Sequence, residues 1–181
     1  MMFYQPRIWL FITLVALLAI SCRQQNSSLV LEEGGPDQTM KNATIQYTDS
    51  GRLKMITFGE EILNFDDEDE TQEFPKGIKA TFYDEITGKI TSIITADEAT
   101  NRQKKKLMQL RKNVVINNIR DGKITYTEEF FWNQDKGKIF SNVPVLQIGK
   151  DGSRHSGDGF ESDEDMVNFR LIRPRGSAVI D

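Results

Sequence analysis

The sequence predicts an all-β chain, a rolled or stacked antiparallel sheet that follows a signal or anchor segment, and three observations carry that expectation. Short runs rich in Ile, Val, Thr, Phe and Tyr succeed one another from Met40 onward, separated by Thr-Gly, Asp-Gly and Lys-Gly. Within those runs apolar and polar residues alternate, the period of a strand with one buried face. The turn glycines also recur: Thr87-Gly88-Lys89-Ile90-Thr91, Asp121-Gly122-Lys123-Ile124-Thr125 and Asp151-Gly152-Ser153-Arg154 open similar units 34 and 30 residues apart. That spacing suits stacked passes of chain rather than a Greek-key globule, the alternative being chance spacing of hairpins.

Taken in order, residues 8–20 form an apolar run with one Thr, preceded by Arg7 and followed by the polar stretch 23–28. A spanning helix needs about 20 apolar residues and an export signal roughly 7–15, so residues 1–22 read as an export signal. The run ends in Leu18-Ala19-Ile20-Ser21-Cys22, similar to a bacterial lipobox in which the cysteine becomes lipidated and N-terminal. An uncleaved anchor is the other reading. Either way the rest of the chain is expected outside the inner membrane. Residues 23–39 carry Gly34, Gly35 and Pro36 with few apolar groups and read as a flexible tether. Residues 40–176 are the β domain, and 177–181 a short tail.

Inside the domain, Ile78, Ala80 and Phe82 occupy every second position of one strand, and Ile90, Ser92, Ile94 and Ala96 continue the pattern on the next. Leu53 and Met55 share one face of an earlier strand, Ile56 and Phe58 the other. Residues 96–110 contain good helix formers but no apolar residue between Ala99 and Leu107. A helix there would have no stripe to bury, so two strands joined by the polar turn 101–106 are expected. Further apolar runs lie at 107–116, 139–148 and 167–172.

Composition narrows the function. With 181 residues the chain supports one domain of about 150 residues plus extras. Its 23 basic residues against 27 acidic ones give a net charge of -4, no field for holding nucleic acid. Cys22 and His155 are the sole cysteine and histidine, which excludes a disulfide, a Cys/His zinc cluster and a Cys-His catalytic pair. The acidic run Asp66-Asp67-Glu68-Asp69-Glu70 lacks the alternating ligands and glycine of a calcium loop and reads as solvated surface. Asp163-Glu164-Asp165 reads as a surface turn and His155 as an exposed loop residue. Gly157-x-Gly159 has no third glycine and no following helix, so close strand packing is expected there rather than a phosphate cradle. Lys104, Lys105 and Lys106, with Arg102, Arg111 and Lys112 nearby, form the one basic cluster. It would either contact phosphates of an anionic lipid or keep a sheet edge soluble. No acid, base and nucleophile assemble, so no enzyme, metal or cofactor is expected; a binding or structural module is.

Three stretches in the carboxy-terminal half then become specific: Tyr126-Thr127-Glu128-Glu129-Phe130-Phe131-Trp132-Asn133, Lys138-Ile139-Phe140-Ser141-Asn142-Val143-Pro144-Val145 and Ser156-Gly157-Asp158-Gly159-Phe160-Glu161-Ser162-Asp163. In order and spacing they resemble the LptC family of the lipopolysaccharide export system. Its members share a T-x-E/D strand with aromatics, an S-x-x-P-V strand and a G-x-G-F/L-x-x-D segment. The resemblance covers residues 77–176 well and the amino-terminal third loosely. It implies an open, V-shaped β-jellyroll on the periplasmic face of the inner membrane. It further implies that the chain receives lipopolysaccharide from the membrane subunits of an ABC transporter and passes it to the bridge protein LptA. The lipobox-like Cys22 departs from the transmembrane helix of many members.

Strand periodicity picks Ile78, Ala80, Phe82, Ile90, Ile94, Leu110, Ile116, Phe130 and Phe140 as inward positions of a lipid groove, and the strand at 167–172 as the edge for an LptA-like partner. The reading from a different class is an envelope lipoprotein that scaffolds proteins without lipid cargo. A filled apolar core would favour that one and an open apolar face the carrier. A lipid hydrolase lacks its catalytic groups.

Overall fold

The computed structural model describes residues 34–164 and 166–175; the apolar run ending at Cys22, most of the tether and the tail lie outside them. The described residues form β1 (Gln38–Asp49), β2 (Arg52–Asn64), β3 (Thr71–Phe74), β4 (Ile78–Tyr83), β5 (Ile90–Ala96), β6 (Glu98–Arg102), β7 (Leu107–Asn118), β8 (Lys123–Asn133), β9 (Lys138–Ser141), β10 (Val145–Ile148), β11 (Arg154–Gly157), β12 (Gly159–Asp163) and β13 (Arg170–Ile172). Among them is no helix, hence none long and apolar enough to cross a membrane. Residues 96–110 are strands around a turn, as expected: Lys106 takes a positive φ of 50° there and β6 pairs with β7.

All pairings are antiparallel, and the long strands change neighbours along their length. In β8, residues 124–127 pair with β10 while 131–133 pair with β9. In β7, residues 115–118 pair with β5 and 107–111 with β6. In β2, residues 55–59 pair with β4 and 63–64 with β3. The sheet therefore divides into two leaves that share β1, β2, β7 and β8. One leaf adds β4, β5, β10 and β11; the other adds β3, β6, β9, β12 and β13. This is an open antiparallel β-jellyroll.

The sequence repeat acquires a physical meaning in these leaves. Each pass of chain is one strand folded at a corner, so β5 and β6 meet at Asp97, β9 and β10 at residues 142–144, and β11 and β12 at Asp158. The repeated glycines Gly88, Gly122 and Gly152 turn the chain between passes with φ of 66°, 67° and 81°, a region open to glycine. The Asp97 corner is tied to a bulge in β7: Asp97 N donates to Lys112 O at 3.0 Å, and Asn113 Nδ2 donates to Asp97 Oδ2 at 2.5 Å. Lys112 and Asn113 take positive φ there, and the β7–β8 register shifts between Arg111 and Val114. In β8 the buried set changes phase at the same level, from Thr125 and Thr127 to Phe130 and Trp132.

The core lies between the leaves. Ile62, Phe74, Leu110, Val114, Ile116, Phe130 and Phe160 are at most 2% exposed. Phe160 stacks on Phe169 with centroids 4.9 Å apart and lies 6.3 Å from Phe130. Ile78, Ala80 and Ile94 are also buried, whereas Phe82 is half-buried. Two of the expected inward positions do not face in. Phe140 lies on the opposite face of β9 from buried Ile139 and Ser141 and stacks on Phe131 at 5.0 Å. The four-residue turn between β8 and β9 sets Trp132 opposite Ile139 and Phe131 opposite Phe140, which fixes that parity. Ile90 has the parity of Ile94 but is 41% exposed, because it opens β5 beyond the register shift at Phe82/Tyr83.

Candidate functional site

The two leaves are not filled along their whole width. Where Phe130, Phe160 and Val114 meet, the interior is packed; towards Met55 and Trp132 it opens into two cavities that share those two side chains. The larger, about 420 Å³, is lined by Ile45, Met55 and Thr57 from the first leaf and by Phe74, Asn101, Met108 and Trp132 from the second. The smaller, about 290 Å³, adds Phe82 and Tyr83 and has Arg52, Lys54, Asp84, Glu85, Arg120 and Glu164 around it. The larger lies within the range of about 300–1,000 Å³ usual for small-molecule sites, and together they make one groove between leaves. Its apolar surface comes from alternation: Met55 and Thr57 point inward from β2, Met108 from β7 and Trp132 from β8. Phe82 meets Trp132 edge to face at 5.7 Å, so the two leaves touch across the groove.

The charged rim is largely self-paired. Lys54 Nζ lies 3.1 Å from both Asp49 and Glu85. Those contacts, Glu85 foremost, hold its pKa above the ordinary lysine value. Trp132 Nε1 donates to Glu164 Oε2 at 3.4 Å. The acidic run and the basic cluster prove to be neighbours: Lys105 pairs with Asp69 at 2.7 Å, Lys104 with Glu70 at 3.2 Å, and Arg102 lies 3.9 Å from Asp69. Lys106 pairs with Asp135 at 3.0 Å, which raises its pKa, and sits on the rim of the larger cavity. No group of three or more His, Cys, Asp or Glu among the described residues could hold a metal ion. His155 is exposed on β11.

Of the nine sequence-chosen positions, Phe82 lines the open groove, whereas Ile78, Ala80, Ile94, Leu110, Ile116 and Phe130 belong to the filled core. Met55, Thr57, Phe74, Met108 and Trp132, which are not among those nine, also line the groove. The parity that selected Phe130 also selects Trp132. The alternation also places Met55 on a face, but Thr57 two positions on reads as a polar interruption.

The motif residues serve the corners. Thr127 Oγ1 and Ser141 Oγ share a buried hydrogen bond of 3.1 Å, Thr127 Oγ1 donates to Pro144 O at 3.2 Å, and Val143 N donates to Ser141 Oγ at 3.3 Å. A Cβ on Gly159 would stand 2.3 Å from Ser141 O, and one on Gly157 2.7 Å from Ile172 O. Both glycines are needed for close backbone approach, neither for a positive φ. Asp158 between them grips the last strand: its N–H donates to Ile172 O at 2.9 Å, and its carboxylate pairs with Arg175 and, at 3.4 Å, with Arg173.

That last strand is a sheet edge. β13 pairs with β12 alone, and beyond it Arg175 N donates to Ser156 O of β11 at 2.8 Å. β1, twelve residues long and paired with β2, forms the other long edge. Lys41 is its one cation, and Gln38, Thr39, Asn42, Thr44, Gln46 and Thr48 make up most of its exposed positions.

A family model described as lipopolysaccharide-assembly, LptC-related matches residues 8–175. No curated protein matches the sequence. Since the match spans nearly the whole chain and the fold is the open jellyroll that such a match requires, the chain belongs to the LptC-related family and is a periplasmic component of lipopolysaccharide transport.

Proposed function

We propose that the chain carries the acyl portion of lipopolysaccharide in the groove between its leaves, taking it from the membrane subunits of an ABC transporter and handing it to an LptA-like bridge protein. The observation that carries this reading is the open apolar interior around Met55, Phe82, Met108 and Trp132. Burying acyl methylenes there yields about 0.8 kcal/mol each, and handover needs no catalysis. The exposed edge of β13, held by Asp158, supports docking by strand addition to a similar sheet. Lys104, Lys105 and Lys106 belong to the proposal as phosphate contacts, since exposed ion pairs contribute little and exchange readily with other anions. Attachment at the inner membrane, by a lipidated Cys22 or an uncleaved helix, is part of the same reading.

The test is site-specific photocrosslinking in growing cells from Met55, Phe82 and Met108, with Lys79 and Thr81 as controls, followed by immunoblotting for lipopolysaccharide adducts. Adducts at the groove positions and none at the controls are expected. Their absence at every position in a chain that folds and localises would overturn the carrier reading and leave the envelope scaffold, which the packed interior around Phe130 and Phe160 would then serve.

A further inference from the structure

Antiparallel sheets that cover a core on one side usually present polar side chains on the other. The second leaf follows that rule. Across its outer face β6, β7 and β8 set Glu98, Arg111 and Glu129 in one row, and β9, β12 and β13 set Phe140, Glu161 and Arg170 in another. Those charges are matched at home: Glu98 pairs with Lys112 at 2.6 Å, Glu129 accepts from Gln109 Nε2 at 2.7 Å, and Arg170 pairs with Glu161.

The first leaf departs from it. Its pairings build two unbroken rows across eight strands on the face turned away from the core. One row runs from Thr44 to Ser156 through Phe58, Val115, Tyr126 and Leu146. The other runs from Gln46 to Arg154 through Ile56, Ile93, Ile124 and Ile148. Phe58 is 38% exposed and Tyr126 40%, and none of these apolar residues is buried. Around Val115, Tyr126, Pro144 and Leu146 the face dips into an open depression of about 600 Å³ that reaches Arg175. The charged residues in the two rows are Lys79 and Arg154, with no carboxylate among them in a chain of 27 acidic residues. Carboxylates return at the margins, with Glu60 and Glu128 by the corner and Asp121 and Asp151 in the end turns.

At about 4.8 Å per strand these rows are roughly 35 Å long. A strip of that length, apolar and bearing cations without acids, complements a surface that is apolar beneath and anionic on top. A second copy laid on the same face would bring cations to meet cations. Tyrosine is favoured at bilayer interfaces, and binding there grows with apolar area and with attraction to anionic headgroups. We propose that the outer face of the first leaf seats on the surface of an anionic phospholipid bilayer, with Phe58, Tyr126 and Leu146 at headgroup depth and Lys79 and Arg154 against the phosphates. The contact lies on the opposite side of the leaf from the groove, so it stands or falls separately from the carrier reading.

Cys22 is the sole cysteine, so the full chain with Cys22→Ser and Tyr126→Cys carries one thiol, on this face, for a nitrobenzoxadiazole label. The labelled chain is reconstituted in vesicles of phosphatidylcholine mixed with phosphatidylglycerol, including lipids with a nitroxide near the headgroup, and its fold is checked by circular dichroism. Emission at position 126 should shift to the blue and be quenched by the nitroxide. A label at Glu161→Cys, on the outer face of the second leaf, should stay in water. Leu146→Cys gives the same readout one strand over, should the label at 126 disturb folding. Reversing both cations, Lys79→Glu with Arg154→Glu, should weaken the seating about 25-fold and bring quenching at 126 down to the level at 161. Equal quenching at 126 and 161, or quenching at 126 that is unchanged in phosphatidylcholine alone, would overturn the proposal. So would a blue shift without nitroxide quenching, which would mean that protein, a second copy included, covers the face. Lipopolysaccharide adducts that still form at Met55 and Phe82 would in each of those cases leave the carrier reading intact.

Discussion

Replacing Gly159 by Ala probes the tightest backbone contact in the jellyroll. The new Cβ would stand 2.3 Å from the carbonyl oxygen of Ser141, 3.3 Å from its carbonyl carbon and 3.4 Å from Cα of Asn142. All three are backbone atoms, so no side chain can swing away. Ser141 is fully buried, its hydroxyl is bonded to Thr127, and Phe160 next to the glycine is also fully buried. Relief therefore requires β12 and β9 to separate, loosening the ladder from Phe160 to Asp163. Forcing an extra carbon into a packed site costs typically 1–3 kcal/mol, and with the Ser141–Asn142 backbone as the obstacle we expect about 3 kcal/mol. With a urea m-value of about 2 kcal/mol/M, the unfolding midpoint should fall by roughly 1.5 M. Gly88→Ala is the comparison: its Cβ meets nothing within 4 Å, and only the positive φ of 66° opposes it, a cost of about 1 kcal/mol. A midpoint for Gly159→Ala within 0.5 M of the native one, on the order of the scatter in such comparisons, or a smaller effect than that of Gly88→Ala, would refute the claim that close backbone approach fixes this glycine.

Gly157→Ala should act on the edge instead, because its Cβ would press on Ile172 O at 2.7 Å. Hydrogen exchange should quicken at residues 170–175, with a smaller loss of global stability than Gly159→Ala causes. Thr127→Val removes a hydroxyl that touches Ser141 Oγ, Pro144 O and Glu129 O inside the corner; a loss of about 1–2 kcal/mol is expected by urea unfolding. Burial pushes the Asp163 carboxyl up, but the Asn168 side chain and the N–H groups of Val167 and Asn168 outweigh it and leave its pKa lowered. A lowered carboxylate contributes stability fully above its unfolded value of about 4 and loses it as pH falls through the native one. Asp163→Asn should thus lower stability at neutral pH by an amount that shrinks as pH falls through the native pKa, flattening the acid limb of a stability–pH curve; an unchanged acid limb would count against this assignment.

Much of this fold is written in local pattern. The turn glycines and the alternation in β4, β5 and β8 mark the passes of chain, and Gly157 and Gly159 announce close packing by their spacing. Side-chain size misleads where parity decides: Phe140 is large and apolar, yet the turn before it assigns the inner face to Ile139 and Ser141. The groove is harder to foresee. Whether an inward residue is packed over or left beside open space depends on the distance between leaves at its level, so Phe130 and Trp132, two residues apart on one strand, differ in surroundings. The pairing of Asp69 with Lys105 spans 36 positions. It follows from the ladder that sets Thr71 against Arg102, a register that composition alone does not reveal.

The terminal edge has a mechanical consequence. Residues 170–172 run beside β12 in one leaf, and Arg175, a few positions on, bridges to Ser156 in the other. Residues 172–175 thus cross from one leaf to the other. A strand annealed along its full length would brace both arms at once and set the aperture between them. On the proposed docking, grip at that rim and the spacing of the leaves would then be one mechanical variable, and a neighbour that held the edge would also govern how far the leaves stand apart.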